Sequence, residues 1–205
     1  MRFLLLFLSL ILISCSSESD REMVVGIQAY NGFSKEKTKL IAKVITDFYD
    51  VRTILLNEKT INKKAFINVK SPRYRADSII LFQRKSIPDS LDFIIGLTAK
   101  DISTTKYEKG RKMKLPAYKY QDWGVMGLGY CPGNSCVVST YRIKHKDKNI
   151  ALIRLKKVAV HEFGHNLGLP HCPDKKCVMT DAVESVATID NAKLALCKIC
   201  KTKLN

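Results

Sequence analysis

Apolar residues along this chain recur in two rhythms, and each change of rhythm marks a change of element. Val24 to Tyr30 is an apolar run of strand length. Ser34 then stands where a helix needs a cap, and Leu40, Ile41, Val44, Ile45, Phe48 and Tyr49 follow at helical spacing. Val51 to Leu56 predicts the next strand. Strand, helix, strand in succession predicts a sheet covered by helices, an α/β or α+β domain. A second helix is expected from about Arg75 to Lys85, after Pro72, carried by Ile79, Ile80 and Phe82. Asp92 to Leu97 is almost uninterrupted in its apolar character, which predicts a central strand.

Beyond it, Ser103 to Tyr120 is polar and rich in Lys, the composition of a long surface loop. Two strands are expected at Gly124 to Tyr130 and Cys136 to Tyr141, joined by the turn residues Pro132, Gly133 and Asn134 as a hairpin at the sheet edge. The last long helix is predicted over Asn149 to Leu167. At about 100° per residue, Leu152, Leu155, Ala159 and Phe163 share one face, while His161 and His165 project from the opposite one.

The chain has 205 residues, 46% of them hydrophobic, enough for one domain with a real core. Its first residues stand apart. Arg2 precedes an apolar run from Phe3 to Ile13, too short to span a bilayer and of the length of a secretory signal. The run ends at Leu12-Ile13-Ser14-Cys15, which resembles the lipobox of bacterial lipoproteins, where the Cys carries the lipid. The expected organisation is a signal over 1–14, a polar tether over 15–22 and a domain over 23–205, exported and lipid-anchored through Cys15 to a bacterial membrane. Lys and Arg outnumber Asp and Glu by 35 to 19, spread along the whole chain. No stacking aromatic array, basic helix or nucleic-acid motif accompanies that charge, so no nucleic-acid partner is expected and the excess reads as a solvated basic surface on a monomer.

Candidate chemistry concentrates where the last long helix ends, in His161-Glu162-Phe163-Gly164-His165-Asn166-Leu167-Gly168-Leu169-Pro170-His171. Two His four residues apart project side by side from a helix, so their nitrogens can converge on a zinc ion at about 2.0 to 2.1 Å. Gly168 can adopt a positive φ and turn the chain back, Pro170 keeps the helix from continuing, and His171 then becomes the third ligand. A fourth position is left for water, whose pKa zinc lowers towards about 7. Glu162 flanks the ligands and is placed as general base for peptide-bond hydrolysis. The alternative third ligand is Glu184, nineteen residues after His165, in the manner of thermolysin-like enzymes; Pro170 and Pro173 stand against the helical hairpin that it needs. An alternative of another class is a catalytically silent zinc-binding lipoprotein, but a purely structural site has no use for a base beside an open position.

The chain contains seven Cys. With Cys15 assigned to lipid, Cys172 with Cys177 and Cys197 with Cys200 give two sulfur pairs suited to a structural zinc, although export would also permit disulfides. Cys131 and Cys136 flank the hairpin turn, where a local disulfide is expected after export.

This pattern resembles the archaemetzincins, whose signature runs from HExxHxxGxxH through Cys, four residues, Cys, one residue, Met, seventeen residues and CxxC. Every spacing is matched over the forty residues from His161 to Cys200. The resemblance implies a metzincin-like single domain with a twisted, mostly parallel five-stranded sheet, an antiparallel edge strand, an active-site helix and flanking helices. It implies two zinc ions, a catalytic one on His161, His165 and His171 and a structural one on Cys172, Cys177, Cys197 and Cys200. It also implies that Met179 forms the Met-turn beneath the catalytic metal, where its sequence context alone suggests core filler, and that an extended peptide or protein substrate lies along the strand from Gly124 to Tyr130.

Overall fold

The computed structural model describes residues 21–108, 112–181 and 185–204. Strand β1 (Val24–Tyr30) is buried along its whole length and leads into helix α1 (Lys35–Tyr49). The Ser34 hydroxyl accepts the Lys37 N–H at 3.3 Å and so caps that helix, which Asp50 ends in a left-handed turn. Strand β2 (Arg52–Lys59) follows, ending three residues beyond the apolar pattern because its far end pairs with β1 through polar positions.

A short 3-10 turn (Lys63–Ala65) precedes β3 (Phe66–Asn68), β4 (Pro72–Arg75) and α2 (Ala76–Lys85). Then come β5 (Phe93–Thr98), β6 (Ile102–Thr104), α3 (Ala117–Tyr120), β7 (Trp123–Val125), β8 (Gly127–Gly129) and β9 (Ser135–Ser139). The chain closes with α4 (Lys148–Asn166), α5 (Val186–Asn191) and α6 (Lys198–Lys201).

The main sheet has the order β2-β1-β5-β9-β8, with its first four strands parallel and β8 antiparallel at the edge. That is the five-stranded arrangement expected, with β5 at its centre. Alternation along the strands sorts side chains between the two faces. Val25, Ile27, Ala29, Ile95, Leu97, Cys136 and Val138 join α1 and α4 in the largest core cluster, whereas Tyr30 and Val137 join α2 on the other side.

A second sheet, of order β3-β4-β6-β7, was not anticipated. It corrects two expectations. The supposed surface loop from Ser103 to Tyr120 begins inside β6, carries the bridge Tyr107–Met113 and ends in α3. The single strand expected from Gly124 to Tyr130 is divided at Met126. Its first part pairs with β6 in the second sheet and its second part with β9 in the first, since one segment cannot lie in both sheets without a bend. The hairpin formed by β8 and β9 does lie at the sheet edge, as the turn residues predict.

Helix α4 packs against β8, β9, α1 and α5. Its N-cap Asp147 accepts the Asn149 N–H at 2.7 Å, and its last three turns are buried on several sides, not on the apolar stripe alone. Phe163 and Ala159 face the sheet, while Glu162, His165 and Asn166 are covered by the edge hairpin and the residues that follow the helix.

Candidate active site

Helix α4 ends in a turn that its sequence dictates. Gly168 has φ +89°; its N–H donates to His165 O at 2.9 Å, and the Leu169 N–H donates to Gly164 O at 2.9 Å. This paired closure reverses the chain within four residues and sets His171 beside the two helix His. Ligand nitrogens of His161, His165 and His171 all lie within 4.8 Å of one another. The ring centroids are 4.5, 5.4 and 4.8 Å apart around the triangle.

Two main-chain carbonyls orient the helix rings. His161 Nδ1 lies 2.8 Å from Val178 O, and His165 Nδ1 lies 2.7 Å from Leu169 O. A carbonyl only accepts, so each Nδ1 bears the proton and each Nε2 keeps its lone pair for a metal. Burial favours the same neutral form, holding His161 down to about 3 and lowering His165. His171 is the most exposed of the three, and Asp181 Oδ2 stands 3.7 Å from its Nδ1. Among the described residues the three rings present the donor set of a metal centre with an open side.

Glu162 is 8% exposed, with Gly127 and Gly129 of β8 packed directly upon it. A methyl group on Gly127 would lie 2.6 Å from both Glu162 Cγ and Oε1, so the strand can lie this close only without one. The Gly129 main chain hydrogen-bonds the Glu162 carboxyl, while burial pushes its pKa up to about 8. A divalent ion at the neighbouring imidazoles would act in the opposite sense and favour the carboxylate.

Beneath these residues, Met179 is fully buried against Gly164, which lies on α4 between His161 and His165. A Cβ at Gly164 would stand 2.6 Å from Met179 Sδ and 2.8 Å from the Tyr49 hydroxyl, which itself donates to Val160 O. The Met179 main chain is tied to the third His as well: Cys172 N–H donates to Met179 O at 2.8 Å, directly after His171. Cys172, Cys177, Cys197 and Cys200 bring their sulfurs within 4.8 Å of one another, as free thiols, with Cys172 Sγ 3.6 Å from Cys197 Sγ. Four thiolates at about 2.3 Å from one zinc have sulfurs about 3.8 Å apart, so this cluster fits a tetrahedral site. Hydrogen bonding from the Cys200 main chain draws the Cys197 thiol down to about 7, the direction that metal ligation needs.

One cavity of about 420 Å³ joins these groups, lined by His161, Glu162, His165 and His171 and otherwise mostly by apolar side chains and the β8 backbone. Among the described residues no helix is long and apolar enough to cross a membrane.

Comparison with known proteins agrees with this geometry. The family model for Peptidase family M54 matches residues 54–205. The chain belongs to this family, the archaemetzincins. It is a zinc metallopeptidase, and its substrates are peptides or proteins. An archaemetzincin of Haloquadratum walsbyi is 29% identical over 191 residues, covering 89% of this chain and 99% of the relative. The crystal structure of the archaemetzincin of Methanopyrus kandleri superposes with a TM-score of 0.70 at 26% identity, over 89% of this chain and 93% of that one. That of Archaeoglobus fulgidus, in complex with malonate, gives 0.68 at 25% identity, over 88% and 99%.

For this archaemetzincin, the structure brings together all three His, Glu162, Met179 and the two Cys pairs that the sequence singles out. Cys131 is exposed and Cys136 buried, and both are free thiols. Cys15 and Glu184 lie outside the described residues. Missed by the sequence were the carbonyls of Val178 and Leu169, which any residue type supplies, and the glycines of β8, whose spacing gave no signal apart from their strand. Lys157 was missed too; it lies one turn before His161 and so on the same face of α4, which was open to notice.

Proposed function

We propose that this archaemetzincin cleaves peptide bonds in the cavity beside Glu162, with zinc held by His161, His165 and His171. The observation that carries the reading is the convergence of three imidazoles, two of them held by carbonyls with Nε2 free to ligate, and one buried carboxyl on the same cavity. Zinc bound there supplies a Lewis acid, which acidifies water and polarises a carbonyl. Glu162 takes the proton from the attacking water on its carboxylate and returns it to the leaving amine. Gly129 and the wall of β8 keep that carboxylate in one place, and the Val178 and Leu169 carbonyls keep the rings in the ligating tautomer. Cys172, Cys177, Cys197 and Cys200 hold a second zinc whose role is structural, fixing the C-terminal segment beside His171.

The proposed working form is an exported monomer anchored by lipid on Cys15, supported by the apolar run that ends two residues before it. Cys15→Ala is expected to release the protein from the membrane fraction; membrane retention of that variant would argue against the anchor. For the chemistry, Glu162→Ala should keep its zinc content and lose peptide hydrolysis. Turnover at the native rate by that variant, measured across a peptide library, excludes Glu162 as the base. Zinc-loaded native protein that cleaves nothing in such a library would instead favour a silent zinc-binding role.

A further inference from the structure

The stripe of α4 that lines the cavity does not begin at the zinc-site residues. It begins one turn earlier, at Lys157, and continues through Val158, His161, Glu162 and His165. The cavity lining also includes Val178, Thr180, Ile189 and Ala192, and Lys157 is the one lysine or arginine that this stripe of α4 contributes to it.

Lys157 is 8% exposed, and its ammonium donates to Ile189 O at 2.8 Å and Asp190 O at 3.2 Å. Both acceptors are neutral. The adjacent carboxylate, Asp190, is already engaged at both oxygens by Arg154, from Nε at 2.7 Å and from Nη2 at 2.6 Å. Among the described residues the charged groups acting on Lys157 are one carboxylate, Asp190, and two cations, Arg154 and Lys176, so there the cations around it outnumber the carboxylates. Burial lowers its pKa, consistent with an ammonium that lacks a full counter-charge. An ammonium also has three N–H donors, and the described residues accept two of them.

We propose that Lys157 forms a carboxylate subsite, so that this peptidase selects peptides with an acidic side chain or a chain-terminal carboxylate close to the scissile bond. Four residues of helix carry the chain about 6 Å. One extended peptide residue covers about 3.3 to 3.6 Å. The carboxylate therefore belongs to a residue within two positions of the cleaved bond, on one side or the other. It would complete the donor set of Lys157 and balance the surplus charge, while the apolar wall strengthens the pairing by excluding water. The proposal rests on hydrolysis occurring in this cavity.

The test uses pairs of quenched fluorescent peptides that differ only in Glu against Gln, placed in turn at the two positions on each side of the bond. The enzyme is the zinc-loaded full chain. Within one pair the ratio of kcat/KM is independent of the fraction of active protein. At one position native enzyme should prefer Glu by about tenfold or more. Lys157→Met should bring that ratio to about one, and Lys157→Arg should keep it. Lys157→Gln retains an uncharged amide NH2 as donor for the carbonyls, guards against a folding failure of the Met variant and carries the same expectation as Met. A ratio near one at every position in native enzyme overturns the proposal, as does a preference that survives Lys157→Met or Lys157→Gln. Failure of native enzyme to cleave either member of any pair overturns the hydrolytic reading itself, and the subsite with it.

Discussion

Gly127→Ala isolates the placement of Glu162 from its chemistry. The added methyl group would lie 2.6 Å from Glu162 Cγ and Oε1 and 2.8 Å from Cδ. Restoring ordinary contact at 3.4 Å requires a displacement of about 0.8 Å. Main-chain motion of β8 is resisted by its pairing with β9, at Gly127–Val138, Leu128–Val137 and Gly129–Cys136. The carboxyl faces the cavity, so it is the group that yields. A misplacement near 1 Å in a catalytic group costs up to about a hundredfold in rate, or about 2.7 kcal/mol of transition-state stabilisation. The overpacking itself should cost about 1 kcal/mol of stability, at the lower end of its usual range, because one wall is open. The assay is kcat/KM on a cleavable peptide, with zinc content and Tm measured on the same preparation. Expected are full zinc, a small fall in Tm and a loss of ten- to a hundredfold in kcat/KM, of the order set by such a shift. Activity within about twofold of native would refute the claim that this glycine places the proposed base. Gly129→Ala supplies the contrast: its methyl group meets the Glu162 main-chain oxygen, which cannot rotate away, so stability as well as activity should fall.

Two further outcomes follow from the metal sites. Cys197→Ser should remove one zinc equivalent and loosen the C-terminal segment, at a cost of about 2 kcal/mol or about 4 to 8 °C in Tm for a chain of this size; unchanged zinc content and Tm would argue against a metal on the four sulfurs. In metal-free protein, burial raises Glu162 from 4.5 to about 8, so between those values the folded state binds more protons than the unfolded one and native stability falls as pH rises. Metal-free Glu162→Gln lacks that slope. Its stability relative to metal-free native chain should therefore rise from pH 4.5 to about 8, by at most about 1.4 kcal/mol per unit, and level off above; a flat difference in urea unfolding across that range would contradict the burial of Glu162.

The long, strongly patterned elements were legible before any coordinates. β1 coincides with its apolar run, α1 begins at the Ser34 cap, and α4 ends where Gly168 permits a left-handed turn. The second sheet was not legible, because β3, β6 and β7 have three residues each and β4 four, too few for any period to register. Nor could the division of the strand at Met126 be foreseen, since it depends on which sheet each half meets. The candidate ligands that the structure gathers were legible because ligation demands particular side chains at fixed offsets. Their supports were not, because the Val178 and Leu169 carbonyls carry no residue signature. Gly164 and Gly127 show their purpose only when Met179 and Glu162 are placed against them.

Anomalous diffraction recorded on both sides of the zinc absorption edge, from crystals of the native protein, tests the central claim most directly. The account predicts one zinc peak among the ring nitrogens of His161, His165 and His171, at about 2.0 to 2.1 Å and with the side towards Glu162 open to solvent. Absence of zinc from the three rings of zinc-loaded protein, or a fourth protein ligand closing that side, would contradict it.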